Sequence, residues 1–251
     1  MKITILTIFP EFFDSPLKQS LLGKAAEGGP LQVELVDIRD FSTDKHNTVD
    51  DAPFGGGTGM VMKVEPLAEA LRQVVGEQPG PGTKILLTSA AGQRLTQSLA
   101  TEYSLAEHLV IICGRYKGVD ARLLQLFDIE EISLGDFVLN GGEIAALAIV
   151  ESVFRLMPGG IGKIDSALTD SFSEGLLGPQ VWTRPAEYEG HKVPEVMLGG
   201  NHARQQLYRR WNSLEQTMDA RPDLLRRADL VDEDRRMMGQ IAGGMKFEDC
   251  Y

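Results

Sequence analysis

Short apolar runs alternate with polar or glycine-rich breaks along this chain, and the period of the runs changes from one to the next. Lys2–Phe9 alternates apolar residues with threonine, a two-residue period that predicts a first strand. Leu17–Ala26 predicts a short helix stopped by Gly28-Gly29-Pro30, and Leu31–Ile38 alternates again as a second strand. Pro66–Val75 carries Leu67, Ala70, Leu71 and Val74 at helical spacing. Lys84–Ser89 reads as a third strand and Leu95–Ser104 as another helix. Apolar runs beginning at Leu109 and Ile132 add two strands. Strands alternating with helices predict an α/β fold with a mostly parallel sheet and helices on both faces.

Three of these strands, starting at Ile85, Leu109 and Ile132, empty into loops of small residues or glycines. In open α/β sheets, ligands lie beyond the carboxyl ends of the strands, and glycines let the backbone approach them closely. None of the loops has the Gly-x-Gly-x-x-Gly pattern between strand and helix, so a dinucleotide is not predicted. Ile144–Met157 is apolar on nearly every face, which predicts a buried helix, within its own domain or against a second subunit. Glu151 and Arg155, four residues apart on it, suit an intrahelical ion pair.

Phe41–Gly59 has no period and ends in Pro53-Phe54-Gly55-Gly56-Gly57-Thr58-Gly59. No Gly-Lys-Ser/Thr follows, so it is not a P-loop. It reads either as a flexible surface loop or as a polar loop that closes over a substrate. Pro158–Gly178 is the clearest linker. Within it, Ser171-x-x-Glu174 has the pattern of a capping box, with Asp170 just outside. Beyond Gly178 the chain predicts a small, mainly helical domain. Ala203–Met218 and Pro222–Leu230 are its better helices and Val231–Gly239 the weaker, and the tail Ile241–Tyr251 need not be ordered.

The hydrophobic fraction of 43% and charged fraction of 24% are those of a globular protein and exclude a disordered or fibrous class. The formal net charge of -11 argues against a broadly basic nucleic-acid binder. However, Asn201–Arg227 holds six arginines and three acids, so any polyanion contact would be local and arginine-based. Two cysteines, Cys113 and Cys250, make no disulfide framework or metal site, and a reducing compartment follows. The first residues are too short and too alternating for a signal peptide. Ile144–Val150 falls far below bilayer length. A cytoplasmic protein is expected by elimination.

A series of short motifs runs in order along the chain. They are Phe9-Pro10-Glu11, the Thr48–Gly57 loop, Cys113-Gly114-Arg115-Tyr116, Ser133-x-Gly135-Asp136, Gly141-Gly142-Glu143, Asp170-Ser171-Phe172, Thr183-Arg184-Pro185 and Gly200-Asn201-His202. Each alone is weak; together, in this order and approximate spacing, the chain resembles the bacterial tRNA (guanine-N1)-methyltransferases that modify the guanosine at position 37, beside the anticodon. Those enzymes belong to the SPOUT superfamily. The last forty-odd residues match loosely.

The resemblance implies a deep trefoil knot in the α/β domain, against the rule that chains do not thread loops. It implies a homodimer that binds S-adenosylmethionine and tRNA, with no membrane or DNA partner. It divides the chain into a methyltransferase domain over 1–160, a flexible linker over 161–177 and a tRNA-binding domain over 178–251. Thr88, Ser89, Gly114, Tyr116, Lys117, Leu134, Gly135, Leu139, Gly141 and Gly142 would hold the donor. Asp50, Gly59, Asn201 and His202 would contact the substrate. Asp170 falls on the family's general base and Arg155 on its guanine-contacting arginine, in place of their blander readings. Arg204, Arg209, Arg210, Arg226 and Arg227 are the expected RNA grip.

Three positions depart from the pattern: Lys117 where the family has glutamate, Phe137 where tyrosine is common, and Thr58 where proline is common. The first reverses a charge at a position linked to the family's magnesium requirement, which puts that requirement in question here; no protein metal ligands are predicted. It also raises the alternative of a homologue that binds donor or RNA without catalysis.

Overall fold

In the computed structural model, which describes residues 1–26, 29–160 and 170–251, the chain divides into two compact units, Met1–Ile164 and Asp165–Tyr251. The first contains β1 (Lys2–Thr7), α1 (Ser20–Ala26), β2 (Gln32–Asp37), the two-residue strands β3 (Asp50–Asp51) and β4 (Val61–Met62), α2 (Val64–Val75), β5 (Thr83–Arg94), α3 (Gln97–Ser104), β6 (His108–Ile112), α4 (Leu123–Leu126), β7 (Glu130–Ser133) and α5 (Glu143–Phe154). The helix expected from Leu17 starts later, because a single turn at Pro16–Lys18 is separated from α1 by the extended Gln19, and α1 opens on Ser20 at φ 60°.

Five strands form one parallel sheet in the order β2-β1-β6-β5-β7. The alternation in β1 suggests one buried face, yet both are buried. Ile3 and Ile5 join a core with α1, α3 and α5, while Leu6 joins a second core with α2 and α4. Thr4 and Thr7, fully buried, spend their hydroxyls on His108 and on Glu143. A buried hydroxyl without such a partner would cost about 1–3 kcal/mol.

The crossovers position the site. The connection leaving β5 passes through α3 on one face of the sheet, whereas that leaving β6 passes through α4 on the other. These two neighbouring strands therefore diverge at their carboxyl ends and leave a crevice. β5 also runs longer than expected. It pairs with Ile132 through Thr88 and again through Gln93, so residues 89–92 loop out of the ladder before the strand resumes.

The Phe41–Gly59 segment is pinned rather than loose at its base. Asp44 accepts the backbone N–H groups of His46 and Thr48 at 2.8 and 3.1 Å, and β3 pairs antiparallel with β4. The glycine-rich tip projects, with Phe54 fully exposed.

The second unit holds a hairpin of β8 (Glu187–Tyr188) and β9 (His191–Lys192), then α6 (Glu195–Leu198), α7 (His202–Ala220), α8 (Asp232–Ala242) and α9 (Phe247–Cys250). Its core gathers Leu176, Trp211, Leu214, Met237 and Phe247. Of the expected linker, residues 161–169 lie outside the described residues. Residues 176–180 are strapped to α7: the N–H groups of Leu177 and Gln180 reach Thr217 Oγ1 and Asn212 Oδ1 at 3.0 and 2.7 Å. The capping-box reading of Ser171 does not hold. Its hydroxyl accepts the N–H of Gly178, and Glu174 pairs with Arg210.

Two further expectations are corrected. Pro222–Leu230 contains only a single turn, Leu224–Arg226, while the weaker pattern after Val231 makes the longer helix α8. The tail is ordered: Phe247 packs edge-on against Trp211 and Tyr208, and the Tyr251 hydroxyl donates to Glu233 at 2.9 Å.

Candidate active site

Beyond the carboxyl ends of β5, β6 and β7 lies a cleft of about 470 Å³, within the range of small-molecule sites. All ten residues expected to hold a donor line it: Thr88, Ser89, Gly114, Tyr116, Lys117, Leu134, Gly135, Leu139, Gly141 and Gly142. They come from three separate loops, and the sheet register brings those loops together.

Backbone forms the floor. The Thr88 hydroxyl donates to the carbonyl of Ile112 at 3.1 Å and accepts the N–H of Gly114 at 3.0 Å, tying β5 to the exit of β6. The N–H of Gly142 donates to the carbonyl of Gly114 at 2.8 Å, and Arg115 bridges to Gly141. A β-carbon on residue 142 would fall on Thr88 Oγ1, and one on residue 114 would come within 2.7 Å of the Thr88 carbonyl. Glycine is required at both places because two chains meet without space for a side chain. Leu134, Leu139, Ile132 and Ala145 add apolar wall.

The β3–β4 ribbon is clamped to the rim. The N–H of Lys117 donates to the carbonyl of Met60, that of Met62 to Gly118, and that of Asp120 to Met62, all at 3.0 Å. Tyr116, at φ 57°, presents its ring in the cleft with the Asp50 carboxylate beside its hydroxyl. Burial, followed by the charge of Asp50, pushes that hydroxyl above its usual pKa, so it stays protonated near neutrality. Lys117 is exposed, with its stem against Gly59, where an added β-carbon would lie 3.0 Å from Lys117 Cγ. Of the expected substrate residues, Asp50 and Gly59 thus stand beside the cleft. Asn201 is the N-cap of α7, accepting the N–H of Arg204 at 3.1 Å, and His202 bonds to Gln205.

Arg155 is the exposed C-cap residue of α5. Along the same helix, Ile144 is exposed and Leu147 and Ala148 are only partly covered, so one apolar side of α5 remains incompletely covered within this unit. Asp170 belongs to the second unit, at the start of a turn in which its carbonyl accepts the N–H of Ser173. In that unit Arg210 is not available as an RNA grip. It forms a two-bond pair with the buried Asp234, at 2.7 and 2.8 Å, and a third bond to Glu174. Arg204, Arg209, Arg226 and Arg227 are exposed.

A buried ion pair behind the cleft has no assigned role in the motif reading. Glu143, at the first turn of α5 and 3% exposed, accepts from the Thr7 hydroxyl at 3.0 Å and from Arg115 Nε at 3.3 Å. The signal was an acid opening a helix whose next seven residues, Ile144–Val150, are all apolar, which needs a buried partner. Cys113, beside it, is a buried thiol whose pKa burial pushes well up, then Glu143, so it is no nucleophile. Among the described residues no group of three or more His, Cys, Asp or Glu could hold a metal ion, and no helix is long and apolar enough to cross a membrane.

The fold and cleft define an α/β enzyme with a small-molecule-sized cleft on a backbone floor at the switch point of a parallel sheet. A family model described as tRNA (Guanine-1)-methyltransferase TrmD matches residues 1–227, and the chain belongs to this family. A tRNA (guanine-N(1)-)-methyltransferase of Geobacter metallireducens is 48% identical over 97% of this chain and 99% of its own length. That of Persephonella marina is 46% identical over 99% of this chain and 97% of its own. One from Nitratidesulfovibrio vulgaris is 52% identical over the whole of this chain, which spans 58% of that longer protein.

Proposed function

We propose that this protein transfers a methyl group from S-adenosylmethionine to N1 of guanosine at position 37 of tRNA, acting in the cytoplasm as a homodimer. Family membership supports the reaction, and one observation carries the site: three distant loops converge on a single cleft with a side-chain-free floor. The cleft suits the donor. Gly114, Gly141 and Gly142 keep the floor clear of side chains so that the donor can lie against the backbone, and Leu134 and Leu139 offer apolar surface for an adenine. When bound, S-adenosylmethionine supplies an electrophilic methyl group.

This chain's residues supply the rest. Guanine N1 carries a proton and is a poor nucleophile until that proton is removed or shared. Asp170 accepts it as general base. Negative charge then gathers on O6, where the fork of Arg155 donates hydrogen bonds. Holding N1 in line with the methyl group removes orientational entropy from the barrier. Asp170 and Arg155 act from different subunits, and the incompletely covered apolar side of α5 supports pairing with a second copy. Asp50 and Gly59, on the ribbon clamped to the cleft, and Asn201 and His202 contact the RNA. The return of the 134–142 segment to Arg115 and Gly114 is in keeping with the family's trefoil knot.

Lys117 lines the cleft as a solvent-exposed residue with its stem against Gly59, and membership of the family favours an active enzyme over a catalytically silent homologue. The test is transfer of labelled methyl to an unmodified transcript with guanosine at position 37, beside an adenosine-37 control, with and without magnesium. Label on the guanosine transcript alone is the expected result. Donor binding without transfer would instead establish the silent homologue.

A further inference from the structure

An enzyme with a net charge of -11 must attract RNA phosphates through local positive charge. In the second unit Arg210 is consumed by Asp234 and Glu174, and Arg221 by Asp223. At the mouth of the cleft, in the first unit, a different arrangement exists. Phe9, just past β1 and partly exposed, has the guanidinium carbon of Arg115 4.2 Å from its ring centroid and that of Arg39 at 5.8 Å. Arg115 lines the cleft.

Both side chains are held by one nitrogen only. Arg115 Nε donates to the buried Glu143, and Arg39 Nε donates to the carbonyl of Ile8 at 3.4 Å. Among the described residues, the terminal guanidinium nitrogens of both arginines have no hydrogen-bond or ion-pair partner. Two like charges drawn to one ring repel each other, and Glu143 balances only one of them. Asp50, beside the Tyr116 hydroxyl, offsets part of the remaining charge, and the terminal donors of both guanidinium groups are already oriented. Stacking on Phe9 has removed much of the side-chain freedom that binding would otherwise cost. Planar forks with free terminal N–H pairs match phosphate oxygens. Tyr116 connects this spot with the cleft, because its hydroxyl feels the charges of both arginines.

We propose that Arg39 and Arg115, stacked on Phe9, clamp backbone phosphate of the RNA strand that enters the cleft. The proposal rests on tRNA being the substrate. The same chemistry, anionic oxygen, is present on the donor's carboxylate, and the experiment separates the two sources.

Arg39→Gln, Arg115→Gln and Arg115→Lys are compared with the wild type as full-length proteins. Binding of an unmodified guanosine-37 transcript is measured across a salt series, together with affinity for S-adenosylhomocysteine, the thermal midpoint and methyl transfer. Each glutamine variant should weaken RNA binding several-fold and lower the slope of log affinity against log salt by about 1. Affinity for S-adenosylhomocysteine should not change in Arg39→Gln, whose arginine does not line the cleft, and should fall less than RNA affinity in Arg115→Gln. Arg115→Lys should keep the slope and lose affinity, since it keeps the charge without the fork, and it guards against a folding defect in Arg115→Gln. Wild-type slopes in both glutamine variants, with the wild type methylating normally, would overturn the clamp alone. Lost S-adenosylhomocysteine affinity with an unchanged RNA slope would also overturn it and assign the arginine to the donor's carboxylate. A wild type that neither binds nor methylates the transcript removes the proposed function, and the clamp with it.

Discussion

The hydroxyl of Thr88 occupies the place where a β-carbon on Gly142 would stand. The same hydroxyl joins two strands, accepting from Gly114 and donating to Ile112. Gly142→Ala therefore should push apart β5 and the exit of β6, at a cost of about 1–3 kcal/mol for overpacking. The expected result is loss of S-adenosylhomocysteine affinity by more than tenfold in calorimetry, with a modestly lowered thermal midpoint. Unchanged affinity would mean that this contact does not shape the donor floor.

Asp170→Asn keeps the shape of the side chain and removes its capacity to take a proton. Methyl transfer should fall about 10²–10⁴-fold, the usual contribution of a general base, while binding of tRNA and donor stays within about twofold. Single-turnover rates beside equilibrium binding make the comparison. Arg155→Lys should also lower the rate with binding kept, because a point charge replaces a fork.

In the second unit, the two-bond contact with Arg210 holds the Asp234 carboxyl below the usual carboxylate range. A carboxyl depressed on folding contributes stability that is complete above its unfolded value near pH 4, about 3.9, and disappears as pH falls through the folded value. The unfolding free energy should thus decline in acid, and Asp234→Asn should flatten that decline. Near neutrality Asp234→Asn should cost about 1–3 kcal/mol, less than breaking a fully buried pair, since Glu174 still faces the guanidinium. Denaturant titrations between pH 7 and pH 3 are the check.

Lys117→Glu restores the family's charge on an exposed rim side chain. Stability should change by less than about 0.5 kcal/mol, as for other surface substitutions. Its turnover should respond to magnesium, whereas the wild type's should not change when a chelator is added. A wild type silenced by chelation would show that magnesium acts without a carboxylate at this position.

Much of the first unit was legible because its strands and helices keep a clear period; at the strand exits that period marks only three loops of small residues, and the ten cleft residues within them follow from the family resemblance. The sheet order was not legible, and it is the order that makes those exits converge. The pairing of Arg115 with Glu143 was also hidden, since 28 residues separate them and the acid at the start of an apolar helix does not say which partner it takes. In the second unit Phe247 and Tyr251 sit in a short polar tail whose period is too brief to read. They are ordered by aromatic contacts with Trp211, far away in sequence. Arg210 looked like any other arginine in a basic stretch. Its carboxylate partners lie 24 and 36 residues distant and became visible only once α7 and α8 were packed.

The backbone floor of the cleft also bears on inhibitor resistance. A competitor that packs against the bare backbone of Gly114, Gly141 and Gly142 rests on atoms every amino acid possesses. Residues 114 and 142 cannot acquire a side chain without colliding with Thr88. Escape by single mutation would then fall on the side chains that line the cleft, above all the exposed Lys117, Phe137 and Val138. An inhibitor that leaves those three untouched gives the enzyme few ways to evade it without injuring its own site.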